Sequence, residues 1–321
     1  MEQMDRLKIV VLDRDTLGDD VPLDALYELG DVAVYGLTAP ELVGERIAGA
    51  DVVVINKIKM NASNLAHADS VKLICLAATG YDNVDTAYCR ENGIAVCNVV
   101  GYSTQSVAQV TIAMALSLYT KLSQYRQFVM SGEYSRQPMM NRLEPIYHEI
   151  AGKTWGIVGF GNIGRQVARV AEALGCRVLI NKRTPVEEYT CVDIDTICRE
   201  ADILSVHTPL SGETRGLISE KRIEMMKKDA ILINVARGAV IDEAAAAKAI
   251  LDGRLGGLGV DVYSTEPFPV EHPYTKLSDC ENVCLTPHMA WGAHEARVRC
   301  LEEIAANIRA FFAGEVRCRV D

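Results

Sequence analysis

Three side chains of complementary chemistry follow three apolar runs in the second half of the chain. Arg237 comes after "AILINV", Glu266 stands five residues beyond Asp261 at the end of "GLGVD", and His288 follows "NVCLTP". Such runs read as strands of a parallel sheet, and ligands of open α/β sheets gather beyond the carboxyl ends of those strands. A guanidinium stays charged, and its planar fork can hold a carboxylate and a carbonyl oxygen together. An imidazole gives and takes a proton near neutrality. A carboxylate beside it favours the imidazolium and fixes its tautomer. These groups meet two of the three needs of 2-keto acid reduction, a cation for the carboxylate and a proton for the oxygen. Acid–base help of this kind is worth about 10²–10⁴-fold in rate.

The third need is a hydride, and "GIVGFGNIGRQVARVAEALG" points to its source. Gly159, Gly161 and Gly164 form G-x-G-x-x-G between a predicted strand and a predicted helix. The first glycine allows the tight turn, the second lets a pyrophosphate approach the backbone, and the third lets helix and strand pack closely. The helix N-terminus then offers free N–H groups and a positive dipole end. NAD sites usually carry an acid at the end of the next strand, for the ribose 2′-hydroxyl. Here that strand reads "CRVLINKRTP", and Lys182 and Arg183 occupy the place. Two adjacent cations suit a 2′-phosphate, so the cofactor expected is NADP(H). The alternative is NAD(H) bound through other contacts, with both cations pointing into solvent.

The elements that must position these groups alternate along the chain. Strands are predicted at 8–13, 31–36, 51–56, 72–77 and 94–99, with helices near 21–29, 41–49, 61–67 and 84–92. A second series has strands at 153–158, 177–180, 203–206, 230–235, 258–263 and 283–287, with helices at 162–174, 193–199, 219–226 and 242–252. One long, mostly apolar helix is predicted from about 103 to 130, an irregular surface excursion over 131–152, and an amphipathic helix from about 292 to 313. The fold class is α/β, with two doubly wound parallel-sheet bodies joined by long helices. A cleft between two such bodies is a common ligand site.

Composition narrows the partners. With 321 residues and a formal net charge of -10, the chain is long enough for two cores and lacks a broad electrostatic grip on nucleic acid or anionic membrane. Residues 92–120 carry no charge, but Asn98, Gly101, Ser103, Thr104, Gln105, Gln109 and Thr111 interrupt them, which suits a buried strand and helix better than a membrane span. The ten cysteines lie largely in apolar runs and the start "MEQMDRLKIVV" holds no secretory h-region, so a reducing cytoplasm is expected. Cys280, Cys284 and His288 are spaced by fours, which fits no common zinc pattern, and no metal is expected.

"GFGNIG", "HTPLSGETRGLI", "LINVARGAVIDEAAAAKAI", "GLGVDVYSTEP" and "NVCLTPHMAW", with "AATGYDNVD" upstream, resemble in order the signatures of the D-isomer-specific 2-hydroxyacid dehydrogenases. The likeness covers nearly the whole chain. It implies a flavodoxin-like substrate domain over 1–101 plus 290–321 and a Rossmann NAD(P)-binding domain over 102–289. It implies Arg237, Glu266 and His288 as the catalytic set, with His288 the acid/base. Thr79 and Gly80 would give backbone N–H groups to the substrate carboxylate. Asn162 and Ile163 would lie at the pyrophosphate, and Thr208, Pro209, Thr214, Ala236 and Asp261 around the adenosine and nicotinamide halves. Asp261 would hold the carboxamide or orient the arginine. A homodimer is implied, with the long helix and the 131–152 loop at its interface.

Lys182 departs from the acid of the family's NAD-users. Gln109 stands where many members have glutamate, a change with no functional account. The resulting expectation is a hydride-transferring enzyme of small 2-keto or D-2-hydroxy acids, hydroxypyruvate or glyoxylate first. Larger keto acids are an alternative, as is a dinucleotide-sensing corepressor of the same fold, although such proteins carry extra tails and this chain stops at "EVRCRVD". Tyr102 and Trp291 are candidates to line the substrate pocket, with packing under the final helix the other reading of Trp291.

Overall fold

A computed structural model describes residues 6–66 and 68–321. The chain begins with β1 (Leu7–Val11), α1 (Asp24–Tyr27), β2 (Gly30–Val34), α2 (Val43–Ile47), β3 (Val52–Ile55), α3 (Ala62–Leu65), β4 (Leu73–Leu76), α4 (Thr86–Glu91) and β5 (Ala95–Cys97). The strands form one sheet in the order β2-β1-β3-β4-β5, every pair parallel. Its central strands are unbroken runs of β-branched and aliphatic residues because both faces are covered. Val52, Val53, Val54 and Ile55 are all fully buried. Each such side chain contributes about 1.5–3 kcal/mol when removed from water.

After Ser103 the chain enters a second compact unit, Thr104–Ala290. It holds α5 (Thr104–Tyr119), α6 (Leu122–Met130), α7 (Glu133–Arg136), β6 (Thr154–Val158), α8 (Asn162–Ala173), β7 (Arg177–Asn181) and β8 (Thr190–Cys191). It continues with α9 (Ile194–Glu200), β9 (Ile203–Val206), α10 (Glu220–Met225), β10 (Ile231–Asn234), α11 (Glu243–Leu251), β11 (Gly257–Val260) and β12 (Val283–Leu285). The seven strands are all parallel, in the order β12-β11-β10-β9-β6-β7-β8. Strand order reverses between β6 and β9, the switch point where ligands of such sheets bind. The chain then returns to the first unit, which Trp291–Asp321 complete with α12 (His294–Phe312).

Both sheets are parallel and doubly wound, as the alternating apolar runs require. The single helix expected over 103–130 is corrected. α5 stops at Tyr119, and Lys121 takes a left-handed conformation (φ 56°) before α6 begins. Leu116 O accepts from both the Thr120 N–H (2.9 Å) and the Thr120 hydroxyl (2.6 Å), and the side-chain bond competes with helix continuation. The two pieces also differ in burial. α5 buries Val107, Ala108, Met114, Ala115 and Leu118, whereas α6 buries no residue. The stretch read as irregular contains the short α7, and β8 was not expected at all. His67, the last residue of the helix expected over 61–67, lies outside the described residues, as do residues 1–5. Among the described residues no helix is long and apolar enough to cross a membrane.

Candidate active site

The glycine motif adopts the geometry its residue types require. Gly159 has φ 90°, and a Cβ there would come within 2.6 Å of Thr208 N and 2.7 Å of the His207 carbonyl carbon. The turn after β6 therefore presses on the segment after β9. A Cβ on Gly164 would overlap Gly159 O, so α8 can approach its strand only with glycine there. Gly161 is different, since a Cβ on it would meet nothing within 4 Å. It is the N-cap of α8, and Asn162 and Ile163 are the first two helical residues, where N–H groups lack intrahelical acceptors. An exposed glycine ahead of a twelve-residue helix fits a dinucleotide pyrophosphate.

Beyond the neighbouring strands the segments are braced. Thr214 ties its loop with a hydroxyl that donates to Pro209 O (2.6 Å) and accepts from Ser211 N–H (2.7 Å). His207 Nε2 lies 3.0 Å from Ser205 Oγ, which also accepts from Trp155 Nε1 (3.0 Å). Its Nδ1 is sealed from solvent with no partner among the described residues, and burial pushes the imidazole down to about 3. At the end of β7, Lys182 is half-buried, and Arg183 forms an exposed ion pair with Glu213 (2.8 Å). An exposed pair of this kind contributes only ~0–1 kcal/mol and exchanges readily for a stronger anion.

The charged residues at the other strand ends lie on the same edge of this sheet. His288 Nδ1 is 2.6 Å from Glu266 Oε2. Both side chains are partly exposed, at 26% and 34%. His288 has φ 53°, a left-handed conformation rare for a residue with a Cβ, and its N–H donates to Thr286 O two residues back (3.0 Å). Strain of this kind needs surrounding structure to hold it, and it clusters at functional sites. Asp261 supplies the hold. Its buried carboxylate accepts from the Thr286 hydroxyl (2.6 Å), Met289 N–H (2.9 Å) and Ala290 N–H (3.0 Å), bracketing His288. Both carboxylate oxygens serve this loop.

Arg237 is steadied by other groups. Asn234 Nδ2 donates to Arg237 O (2.9 Å), Asn234 Oδ1 accepts from Ala236 N–H (3.1 Å), and the guanidinium donates to Ala236 O (2.8 Å). Gly238 packs against the backbone of Tyr263 and Ser264, where a Cβ would overlap main-chain atoms. The arginine turn and the glutamate loop are therefore in van der Waals contact. Tyr263 N–H donates to Glu266 Oε1 (2.9 Å), which leaves Oε2 for the imidazole. The Tyr263 hydroxyl donates to Thr286 O (2.9 Å); burial first, with Asp261 and Glu266 near, pushes it up to about 12. The sequence reading missed Asn234, Gly238 and Tyr263 as supports. The residues adjoining the arginine and glutamate signatures were the available signal.

The remaining candidates belong to the first unit. Thr79 follows β4; its hydroxyl donates to Val99 O (2.7 Å) and its carbonyl accepts from Asn98 Nδ2 (2.7 Å). The side chain is thus turned onto neighbouring backbone, and Gly80 follows it. Tyr102 is buried in this unit's core at 6% exposure, which makes it packing first; its ring meets Trp291 edge-on at 6.3 Å. Trp291 is only partly buried, packs on the same core, and has Lys57 Nζ 5.9 Å from its ring centroid.

The family profile described as "D-isomer specific 2-hydroxyacid dehydrogenase, NAD binding domain" matches residues 112–290. The chain is 35% identical over 309 residues to the glycerate dehydrogenase of Methylorubrum extorquens, covering 96% of this chain and 97% of that one. It is 33% identical over 317 residues to the hydroxypyruvate reductase of Blautia hydrogenotrophica, covering 96% and 98%. Among solved structures it is similar to the D-lactate dehydrogenase of Aquifex aeolicus complexed with NAD and lactic acid, with TM-score 0.83, 30% identity and 96% of both chains covered.

Proposed function

The chain belongs to the D-isomer specific 2-hydroxyacid dehydrogenase family and is a nicotinamide-dependent oxidoreductase, and on that premise we propose that it interconverts hydroxypyruvate or glyoxylate with the corresponding hydroxy acid, using NADPH in preference to NADH. The observation that carries this reading is the 2.6 Å His288–Glu266 pair, built on a left-handed histidine at the strand edge that also bears the glycine turn. Relatives named for glycerate and hydroxypyruvate support the substrate choice.

A nicotinamide, when bound, would supply or accept the hydride. Gly159, Gly161, Asn162, Ile163 and Gly164 hold the pyrophosphate, and Thr208, Pro209, Thr214 and Ala236 flank the rest of the dinucleotide. Lys182, with Arg183 once released from Glu213, takes the 2′-phosphate. The Arg237 fork holds the substrate carboxylate and keto oxygen. With Nδ1 engaged by Glu266, His288 has Nε2 to donate a proton to that oxygen and to recover it in the reverse direction. Glu266 holds the imidazolium in place, and Asp261 fixes the strained loop that presents it. Thr79 and Gly80 give main-chain N–H groups to the carboxylate, and Trp291 borders the substrate side chain.

A homodimer is part of the same reading. Met130, Met140, Leu143 and Ile146, in or beside the 131–152 segment, are 69%, 88%, 76% and 67% exposed, which supports an interface there.

A panel of NADPH and NADH against hydroxypyruvate, glyoxylate, pyruvate and phenylpyruvate, followed by loss of reduced-nicotinamide absorbance, tests the assignment. Turnover highest with hydroxypyruvate or glyoxylate and NADPH is expected; no turnover with any of the four acids refutes it. Lys182→Asp should move the cofactor ratio toward NADH, and an unchanged ratio would remove the 2′-phosphate argument.

A further inference from the structure

Glu243, the first residue of α11, carries a carboxylate that none of the roles above uses. Its side chain is 10% exposed, and it is occupied from one direction. Oε1 accepts from Ser264 N–H (2.9 Å), and Oε2 accepts from the Ser264 hydroxyl and lies 3.2 Å from His272 Nε2. His272 is 6% exposed, and its Nδ1 accepts from Tyr274 N–H (3.3 Å). An Nδ1 that accepts places the ring proton on Nε2, aimed at Glu243. Phe268 stacks on the His272 ring at 4.8 Å, and Tyr263 meets Phe268 edge-on at 4.7 Å.

These contacts grip the segment Tyr263–Phe268 at both ends and leave Glu266 between them. Ser264 is held by Glu243, and Phe268 is held by His272, which bonds the same carboxylate. Within the segment, the Tyr263 N–H fixes one oxygen of Glu266 and the other meets His288. Gly238 also closes directly on Tyr263 and Ser264. We propose that Glu243 is a positioning residue for the reaction: through Ser264 and His272 it fixes the loop that aims Glu266 at His288. An acceptor-only carboxylate suits the place, because every group facing it is a donor; an amide would turn an N–H₂ toward one of them.

The proposal rests on the active-site reading above, and the test separates the two. Turnover is measured for Glu266→Gln, Glu243→Gln and Ser264→Ala, and for each of the last two combined with Glu266→Gln. Ser264 is exposed, so its alanine variant carries the test even where Glu243→Gln folds poorly. Glu243→Gln and Ser264→Ala should each lower kcat about 10- to 100-fold, the scale of misplacing a catalytic group. KM for the reduced nicotinamide should stay within about twofold. Neither change should lower kcat further once Glu266 is glutamine. Unchanged kcat in both single variants, or the same loss repeated in the Glu266→Gln background, overturns the positioning role. Wild-type turnover in Glu266→Gln overturns the reading beneath it, and this proposal with it.

Discussion

The carboxyl edges of the two parallel sheets use polar side chains in opposite ways. On the seven-stranded sheet, buried polar groups hold charged ones at the surface: Asp261 brackets the His288 loop and the Tyr263 N–H aims Glu266. On the five-stranded sheet, polar side chains turn back onto main chain. Asp13 at the end of β1 accepts from the N–H groups of Asn56 (2.9 and 3.1 Å), Lys57 (2.6 Å) and Ile58 (3.3 Å). Asn83 donates to Ile58 O (2.7 Å), and the Thr79 hydroxyl goes to Val99 O. One edge offers titrating side chains, and the other offers fixed backbone. In the proposed reaction the first moves the proton and the second recognises an invariant carboxylate.

If that division holds, variants on the two edges should fail differently. The largest loss belongs to the seven-stranded edge. Arg237→Gln keeps a polar side chain but loses the charged fork, and kcat/KM for the keto acid should fall about 10²–10³-fold, the usual cost of an electrostatic donor. A loss confined to cofactor KM would move Arg237 to the dinucleotide side.

The buried titratable groups sharpen the contrast next. His207 on the seven-stranded edge has its imidazole lowered from 6.5 to about 3 by burial. Between those values the unfolded chain binds a proton and the folded protein does not, so stability falls as pH is lowered through that window. The slope from this group is at most about 1.4 kcal/mol per pH unit. Asp13 has the opposite sign. Burial raises its carboxyl above 3.8 despite the N–H bonds, so its contribution declines as pH rises through that raised value. Denaturant titrations at pH 7, 6, 5 and 4 should show a shallower acid loss in His207→Gln than in wild type. Parallel curves would mean the imidazole is already protonated in the folded state.

The smallest effect belongs to the backbone-presenting edge. Thr79→Val keeps the shape and removes one hydrogen bond worth about 1 kcal/mol. A rise of a few fold in keto-acid KM with kcat preserved is expected from steady-state kinetics. A fall in kcat at constant KM would show that this edge, too, takes part in the chemical step.

What the sequence made legible follows the range of the forces involved. The strands were readable because a strand buried on both faces must be an unbroken apolar run, as "DVVVIN" is. The strand-end residues were readable because parallel topology carries them to one edge. The break at Lys121 was hidden, since it depends on how α5 is buried and α6 is not. The attachment of Asp261 to Thr286, and of Glu243 to Ser264, spans 25 and 21 residues. Neither spacing nor periodicity encodes such bonds. They appear only when the loops are folded.

The most direct measurement is turnover of the His288→Ala variant beside its affinity for the reduced nicotinamide, read by fluorescence titration. The expected result is a kcat lower by at least about 10²-fold with cofactor affinity near that of the wild type. Full turnover without the imidazole would contradict the assignment of proton transfer to this residue.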